Sequence, residues 1–163
     1  QGHEVYLANL NAETQFVIAG RDEAMAEVAQ LALRAGASKA QRLAVSVPSH
    51  CALLDKPAAA LAKAFADVTL TRPQRAYLSG STARVLWDPQ RIADDLAMNM
   101  ARPVHWQEAM VAADERDARL AIEMPPGGVL TCLARQAGWR GETIALERSG
   151  LDVARHLAQR LSD

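Results

Sequence analysis

The chain has 163 residues and a formal net charge of −1, and half of its residues are hydrophobic although only 4% are aromatic. Because a nucleic-acid binder needs basic side chains to neutralise phosphates, this charge argues against such a function. No apolar run approaches the roughly 18 residues that a membrane-spanning helix requires, and we expect no signal peptide. The scarcity of aromatic residues predicts a core of alanine, leucine and valine, which suits helices packed on a sheet.

The cysteines and histidines do not indicate a metal site. Cys51 and Cys132 lie far apart, and no histidine is spaced as a metal ligand with another histidine or with a cysteine. We therefore expect two buried thiols and no metal, in the reducing environment of the cytoplasm.

The first 46 residues carry two strand patterns, a helix pattern and a third strand pattern. The strands are predicted over residues 4–10 and 15–19, the amphipathic helix over 22–35 and the third strand over 39–45. The order ββαβ is what remains of a ferredoxin-like unit when its first strand and helix are missing. We therefore predict a partial ferredoxin-like subdomain over residues 1–46 and expect the chain to begin within a domain.

Strands alternate with helices over residues 47–163. Helices are predicted over residues 52–66, 89–100, 103–113, 129–137 and 151–161, and strands over residues 75–79, 119–123 and 143–146. This alternation predicts an α/β architecture with a mainly parallel sheet.

A corner between an apolar run and a helix presents a hydroxyl and an imidazole. Residues 45–47 end at Pro48, and Ser49 and His50 come next. Because histidine titrates near neutral pH, a histidine at the end of a buried strand is well placed to act as a general base. In the alternative, Ser49 caps the helix and His50 is a hydrogen-bonded structural residue. The residues alone favour this structural role.

Two further segments have a functional and a structural interpretation. Residues 125–131 (Pro-Pro-Gly-Gly-Val-Leu-Thr) could cradle a phosphate at a helix N-terminus, but a plain strand-to-helix turn is favoured because the lysine of a P-loop is missing. Asn99 could end a helix, or orient a partner through its amide or backbone carbonyl. Asn9 and Asn11 are most simply turn residues. No Gly-x-Ser-x-Gly nucleophile motif occurs in the chain.

Four segments, taken in order, resemble the malonyl-CoA:acyl-carrier-protein transacylase family. They are residues 9–11 together with 16–20, then 46–53, 99–106 and 123–131, which include Ser-Val-Pro-Ser-His-Cys-Ala-Leu, Pro-Val-His-Trp and Pro-Gly-Gly-Val-Leu-Thr. Within the family the likeness is strongest to the epsilon subunit of malonate decarboxylase, through residues 46–54, 77–81 and 94–100.

The resemblance implies a fold and a reaction. The fold is an α/β-hydrolase-like domain with an inserted ferredoxin-like subdomain, and residues 47–163 would be the C-terminal part of the large subdomain. The reaction moves a malonyl group from malonyl-CoA to the thiol of the phosphopantetheine-type arm of an acyl carrier protein, through a Ser-His acyl-enzyme mechanism. No permanently bound cofactor is implied, and neither nucleic acid nor membrane is an expected partner.

The resemblance also assigns roles to single residues. His50 would be the base that takes the serine proton, and the backbone carbonyl of Asn99 would orient it. Ser49 would accommodate the malonyl group, and Asn9 and Asn11 would line the cleft between the subdomains.

Three elements of the family pattern are absent from this chain: the Gly-His-Ser-x-Gly elbow, the arginine that pairs with the malonyl carboxylate, and the Gln-Gly oxyanion element. We therefore expect the N-terminal half to be supplied as another chain or segment, and this chain alone to be inactive. One alternative is a transacylase of fatty-acid synthesis. Another is a non-catalytic piece that docks the acidic carrier protein through Arg72, Arg75, Arg84 or Arg102.

Overall fold

A computed structural model describes residues 5–162, and the first element in it is a β-hairpin. β1 (Val5–Ala12) and β2 (Gln15–Gly20) pair antiparallel around a tight turn. α1 (Asp22–Arg34) comes next and contacts β2. The first two predicted strands and the helix are confirmed, except that Glu4, the first residue of the first predicted strand, lies outside the described residues.

The third strand predicted over residues 39–45 is wrong. This segment is exposed and forms no ladder with any described strand, and Leu43 and Val45 are 53% and 61% exposed. A strand is stable only when its backbone groups pair with a neighbouring strand, and none of the described strands lies alongside. The segment instead forms an exposed ion pair with α1, in which the Arg42 guanidinium donates to both carboxylate oxygens of Asp22 at 3.0 and 3.1 Å.

Two packed helices and a short hairpin form the middle of the chain. A 3₁₀ turn at Ala52–Leu54 leads into α2 (Asp55–Ala66), and β3 (Tyr77–Leu78) pairs antiparallel with β4 (Val85–Leu86). The next helix, α3 (Pro89–Met98), packs against α2.

Local sequence explains where α3 begins, but tertiary pairing determines the path of the chain beyond its end. The Asp88 carboxylate accepts a hydrogen bond from the Arg91 N–H at 2.8 Å, with proline at the first helical position. The chain then makes a 3₁₀ turn at Asn99–Ala101. The next helix, α4 (Trp106–Asp114), begins later than the predicted residue 103 because Val104 pairs with β1 instead.

The last part of the chain is a parallel strand pair with helices around it. β5 (Leu120–Glu123) and β6 (Glu142–Ala145) are parallel, and α5 (Val129–Gln136) lies in the crossover between them. α6 (Leu146–Arg160) contacts both strands. It is kinked at Gly150, where φ is +77°, so the predicted helix corresponds to the segment after the kink.

The predicted α/β class is confirmed, but the prediction of a mainly parallel sheet is wrong for the described strands. Among the described strands only β5 and β6 are parallel, whereas β1–β2 and β3–β4 are antiparallel. The connections inside these two hairpins are too short for the crossover that parallel pairing needs.

Small side chains dominate the core of the described residues. The buried apolar set is mostly alanine, with Leu86, Ile92 and Trp139 as its large members, so the prediction holds for alanine better than for leucine and valine. Large apolar residues remain exposed at the end of β5 and the start of α5: Ile122, Met124, Val129 and Leu130. No helix within residues 5–162 has the length and apolarity of a membrane span.

The two cysteines differ in burial. Cys51 is buried as predicted, but Cys132 is exposed, so the expectation of two buried thiols is wrong. α5 buries Ala134, and a residue two positions away lies on the opposite side of a helix, which places Cys132 toward solvent.

A carboxylate at the end of β5 fixes the start of α5. Glu123 Oε1 accepts from the Leu130 N–H at 3.0 Å, and Oε2 accepts from the N–H and the hydroxyl of Thr131, both at 2.7 Å. Burial by itself would raise the pKa of Glu123. The hydrogen bonds from the Thr131 hydroxyl and from the N–H groups of residues 129–131 outweigh burial and lower the pKa.

The lowered pKa of Glu123 predicts an acid-dependent loss of stability. A carboxyl whose pKa is lower in the folded state contributes stability that is present above its unfolded pKa, about 4.3, and is lost as the pH falls through the folded value. We expect the free energy of unfolding, measured by urea titration from pH 7 to pH 3, to fall less steeply in Glu123→Gln than in the wild type below about pH 4.3. Glu13→Gln, at the exposed tip of the first hairpin, is the control and should follow the wild type. Parallel curves for the wild type and Glu123→Gln would contradict this account.

Candidate active site

His50 lies in a sharp corner that its backbone conformation defines. The Ser49 N–H donates to the Val47 carbonyl at 2.8 Å, and His50 has a φ of +62°, in the left-handed region. The His50 N–H donates to the Met100 carbonyl at 2.7 Å, which anchors the corner to the 3₁₀ turn after α3. A positive φ is uncommon for residues with a side chain, and such conformations cluster at functional sites.

The imidazole of His50 is oriented by a backbone carbonyl. Nδ1 lies 2.9 Å from the Asn99 carbonyl oxygen. Because a carbonyl can only accept, Nδ1 carries the proton, and in the neutral ring the lone pair is then on Nε2. This is the tautomer that a general base needs. The contact is the one that the family resemblance implies for Asn99, and it uses the backbone rather than the amide side chain.

The segment after Asn99 is clamped by β1. The Leu10 N–H donates to the Val104 carbonyl and the Val104 N–H donates to the Ala8 carbonyl, both at 2.8 Å. Asn9 therefore forms a parallel bridge with Val104. On the other side, the His105 N–H donates to the Gly80 carbonyl at 2.8 Å. The loop that comes after the His50 acceptor is thus fixed from two directions.

A small apolar cluster joins the hairpin to the His50 corner. Cys51 packs with Ala8 and Ala19 in the core, with Tyr6 and Val17 partly buried against them. The Cys51 thiol also donates to the Pro48 carbonyl at 3.2 Å. Because Cys51 directly follows His50, this packing helps to fix the direction in which the His50 side chain projects from the backbone.

Asn9 and Asn11 both lie within β1, so their interpretation as turn residues is wrong, and within the described residues neither is hydrogen-bonded to His50. Asn9 is half-buried and Asn11 is buried. The pairing register of β1 shifts between Leu7 and Asn9 and again between Leu10 and Ala12, so Asn11 sits at an irregularity of the ladder. Bulges of this kind re-aim side chains and are frequent beside active sites. Ser49 is half-buried in the corner itself.

A buried polar cluster on α3 was not predicted. Asp95 is 2% exposed, and its Oδ1 accepts from the hydroxyls of Ser79, at 2.7 Å, and Ser81. Its Oδ2 accepts from the Tyr77 hydroxyl at 2.7 Å. Burial raises the pKa of Tyr77, and the hydrogen bond to Asp95 and its charge raise it further. One signal was available in the sequence, because Asp95 falls on the same face as the buried Ile92.

Several amides of the glycine-rich turn and the first turn of α5 are already bonded to the protein's own carboxylates. The N–H groups of Leu130 and Thr131 donate to Glu123, and the Gly127 N–H donates to the Glu147 carboxylate. The protein's own carboxylates already occupy these donors, which supports the interpretation of residues 125–131 as a strand-to-helix turn.

No family model matches the chain, but individual proteins do. A malonyl CoA-acyl carrier protein transacylase of Salmonella typhimurium is 33% identical over 136 residues, which make up 83% of this chain and 44% of that protein. One from Bacillus subtilis is 32% identical over 147 residues, 90% of this chain and 46% of the relative. The chain therefore spans a little under half the length of these curated relatives.

Solved structures agree with the sequence comparison. The malonyl CoA-acyl carrier protein transacylase of Coxiella burnetii superposes with a TM-score of 0.89 at 28% identity, over 99% of this chain and 51% of that one. A malonyl-transacylase solved in complex with a type II PKS acyl-carrier protein gives a TM-score of 0.84 at 30% identity, again over 99% and 51%. Over the part of those proteins that it spans, the chain belongs to the malonyl-CoA:acyl-carrier-protein transacylase family.

Proposed function

We propose that this chain supplies the general base of a malonyl transferase. The single observation that carries the proposal is the hydrogen bond from His50 Nδ1 to the Asn99 carbonyl at 2.9 Å, which leaves Nε2 as a proton acceptor. The names of the relatives support malonyl-CoA as the donor and an acyl carrier protein as the acceptor.

The proposed reaction has two steps with the same base. His50 Nε2 takes the proton of a serine hydroxyl while the serine oxygen attacks the thioester carbonyl of malonyl-CoA. The C–S bond breaks, the proton passes to the sulfur, and CoA leaves as the thiol. In the second step the carrier thiol gives its proton to Nε2 and its sulfur attacks the malonyl-serine ester. The new C–S bond forms, the ester C–O bond to serine breaks, and the proton returns to the serine oxygen.

We propose that the nucleophilic serine comes from outside this chain. The chain contains no Gly-x-Ser-x-Gly motif and spans a little under half the length of the curated relatives. The exposed apolar residues at the end of β5 and the start of α5 support a further polypeptide segment packed against this side. This chain together with the serine-bearing segment is called the complete protein below.

The proposal extends to the neighbours of His50. The partial ferredoxin-like subdomain predicted over residues 1–46, of which the described residues form β1, β2 and α1 but not the third strand, would form one wall of the substrate cleft. The C-terminal part of the large subdomain, over 47–163, would form the other. Asn9 and Asn11 would line it from β1, which is clamped to the loop after Asn99. Ser49 would accommodate the malonyl group. Both cysteines are free thiols, as is usual in the reducing cytoplasm, where we place the protein.

The proposed acceptor is the carrier subunit of malonate decarboxylase. The resemblance of residues 46–54, 77–81 and 94–100 to the epsilon subunit of that enzyme supports this acceptor. The alternative acceptor is the carrier protein of fatty-acid synthesis, and the names of the curated relatives support it.

Replacing His50 tests the base directly. In the complete protein, His50→Ala should slow transfer of labelled malonyl to the serine on the order of 10²–10⁴-fold, because a positioned base contributes that much. His156→Ala removes an exposed histidine of α6 and is the matched control, with wild-type labelling expected. Unchanged labelling of the His50→Ala protein would disprove the assignment and favour the carrier-docking role.

The left-handed conformation of His50 predicts a stability difference between two inactive variants. Both His50→Ala and His50→Gly remove the imidazole, but alanine keeps the steric cost of a φ of +62° and glycine does not. We expect His50→Gly to be more stable than His50→Ala by about 1 kcal/mol in urea unfolding. Equal stability would mean that the backbone relaxes out of the left-handed region.

The acceptor is tested by competing two purified carrier proteins. We expect kcat/KM for the malonate decarboxylase carrier to exceed that for the fatty-acid carrier by about tenfold or more, because a protein specific for one acceptor discriminates in the transition state. An equal or reversed ratio would assign the chain to fatty-acid synthesis. The His50→Ala protein, tested in parallel, reports whether both acceptors use the same base.

A further inference from the structure

The buried carboxylate of Asp95 is not used in the proposed reaction. It is 2% exposed, and within the described residues its partners are the hydroxyls of Tyr77, Ser79 and Ser81 rather than a cationic side chain. Burying an ionised group is costly unless hydrogen bonds compensate for its lost hydration. The fold therefore keeps a destabilising buried carboxylate at this position and surrounds it with hydroxyl donors.

The cluster connects two segments that border the His50 acceptor. Asp95 is on α3, one helical turn before Asn99, and its hydroxyl partners belong to the chain around Gly80. A Cβ built on Gly80 would lie 3.8 Å from the Asn99 side-chain nitrogen, so this backbone passes next to Asn99. The Gly80 carbonyl also accepts from the His105 N–H. One short segment thus holds the chain both before and after the 3₁₀ turn.

A backbone carbonyl that accepts a hydrogen bond must be held in place by the surrounding main chain. A carboxylate partner could adjust through its side-chain torsions, but the Asn99 carbonyl moves only with the main chain. The Met100 carbonyl, which accepts from the His50 N–H, is subject to the same constraint. Any drift of the end of α3 would therefore move both acceptors of His50 together.

We propose that Asp95 is a positioning residue that holds the end of α3 so that the Asn99 and Met100 carbonyls keep His50 in its Nδ1-protonated orientation. This inference rests on the proposed function only in that the function gives the orientation of the His50 ring its catalytic role. The orientation itself can be measured without a transfer assay.

The first readout is the state of the imidazole. In the complete protein labelled with ¹⁵N-histidine, the His50 signals are identified by their loss in His50→Ala. The wild type should show the Nδ1-protonated tautomer at a pH where the ring is neutral. Asp95→Ala should shift it toward a mixture of tautomers, whereas Asp95→Asn, whose amide oxygen can accept from the serines, should keep the wild-type form. A wild-type tautomer in the folded Asp95→Ala protein would overturn the proposal.

The second readout is the rate of malonyl loading. Asp95→Ala should lower kcat about 10- to 100-fold with KM nearly unchanged, because a small displacement of a catalytic group acts on the transition state. Asp95→Asn should recover most of this loss. Glu123→Gln, which perturbs a buried carboxylate on β5, is the control: it should lower stability without changing the His50 tautomer or kcat.

Two further results keep the test decisive. If Asp95→Ala does not fold, Ser81→Ala and Tyr77→Phe each remove one donor, and smaller tautomer shifts in the same direction are expected. Wild-type tautomers in both would overturn the proposal. If His50→Ala loads malonyl normally, the proposed function fails, but the tautomer measurement still decides whether Asp95 positions His50.

Discussion

The hydrogen bond between His50 Nδ1 and the Asn99 carbonyl is the contact on which the proposed chemistry depends. An imidazole serves as a base when one nitrogen is held in its protonated form and the other is free. Here the group that holds it is part of the backbone, and the nearest helix end decides where that group lies. The position of the His50 imidazole therefore depends on the position of a short stretch of main chain.

Much of the surrounding structure bears on that stretch. β1 pairs with Val104, and the chain around Gly80 binds both Asp95 and His105. The His50 N–H donates to the Met100 carbonyl. These contacts come from segments that are distant in sequence. They connect the hairpin, the β3–β4 corner and α3. The base, the proposed lining residues and the buried carboxylate are therefore held in place by the same set of contacts.

The rest of the chain is less enclosed. Within residues 5–162 the sheets have two strands each, the core is mostly alanine, and several large apolar side chains remain exposed. Sheets this small bury little apolar surface, so their stability depends on the elements that pack against them. This architecture agrees with a chain that spans about half the length of the solved transacylases, and it supports the proposal that a further segment completes both the core and the site.

Elements with local signals could be predicted from the amino-acid sequence. They are the first two strands, the helix that corresponds to α3, the strand-to-helix turn before α5 and the corner carrying His50, because turns and periodicity act over a few residues. The strand predicted over residues 39–45 failed because strand formation needs a partner, which a propensity pattern does not contain. The residues alone did not place the Asn99 carbonyl beside His50, 49 positions away; the family resemblance implied this contact, and the structure shows it. The burial of Asp95 with Ser79 is seen in the tertiary structure alone. Both contacts join residues whose spacing in the chain carries no information about their distance in space.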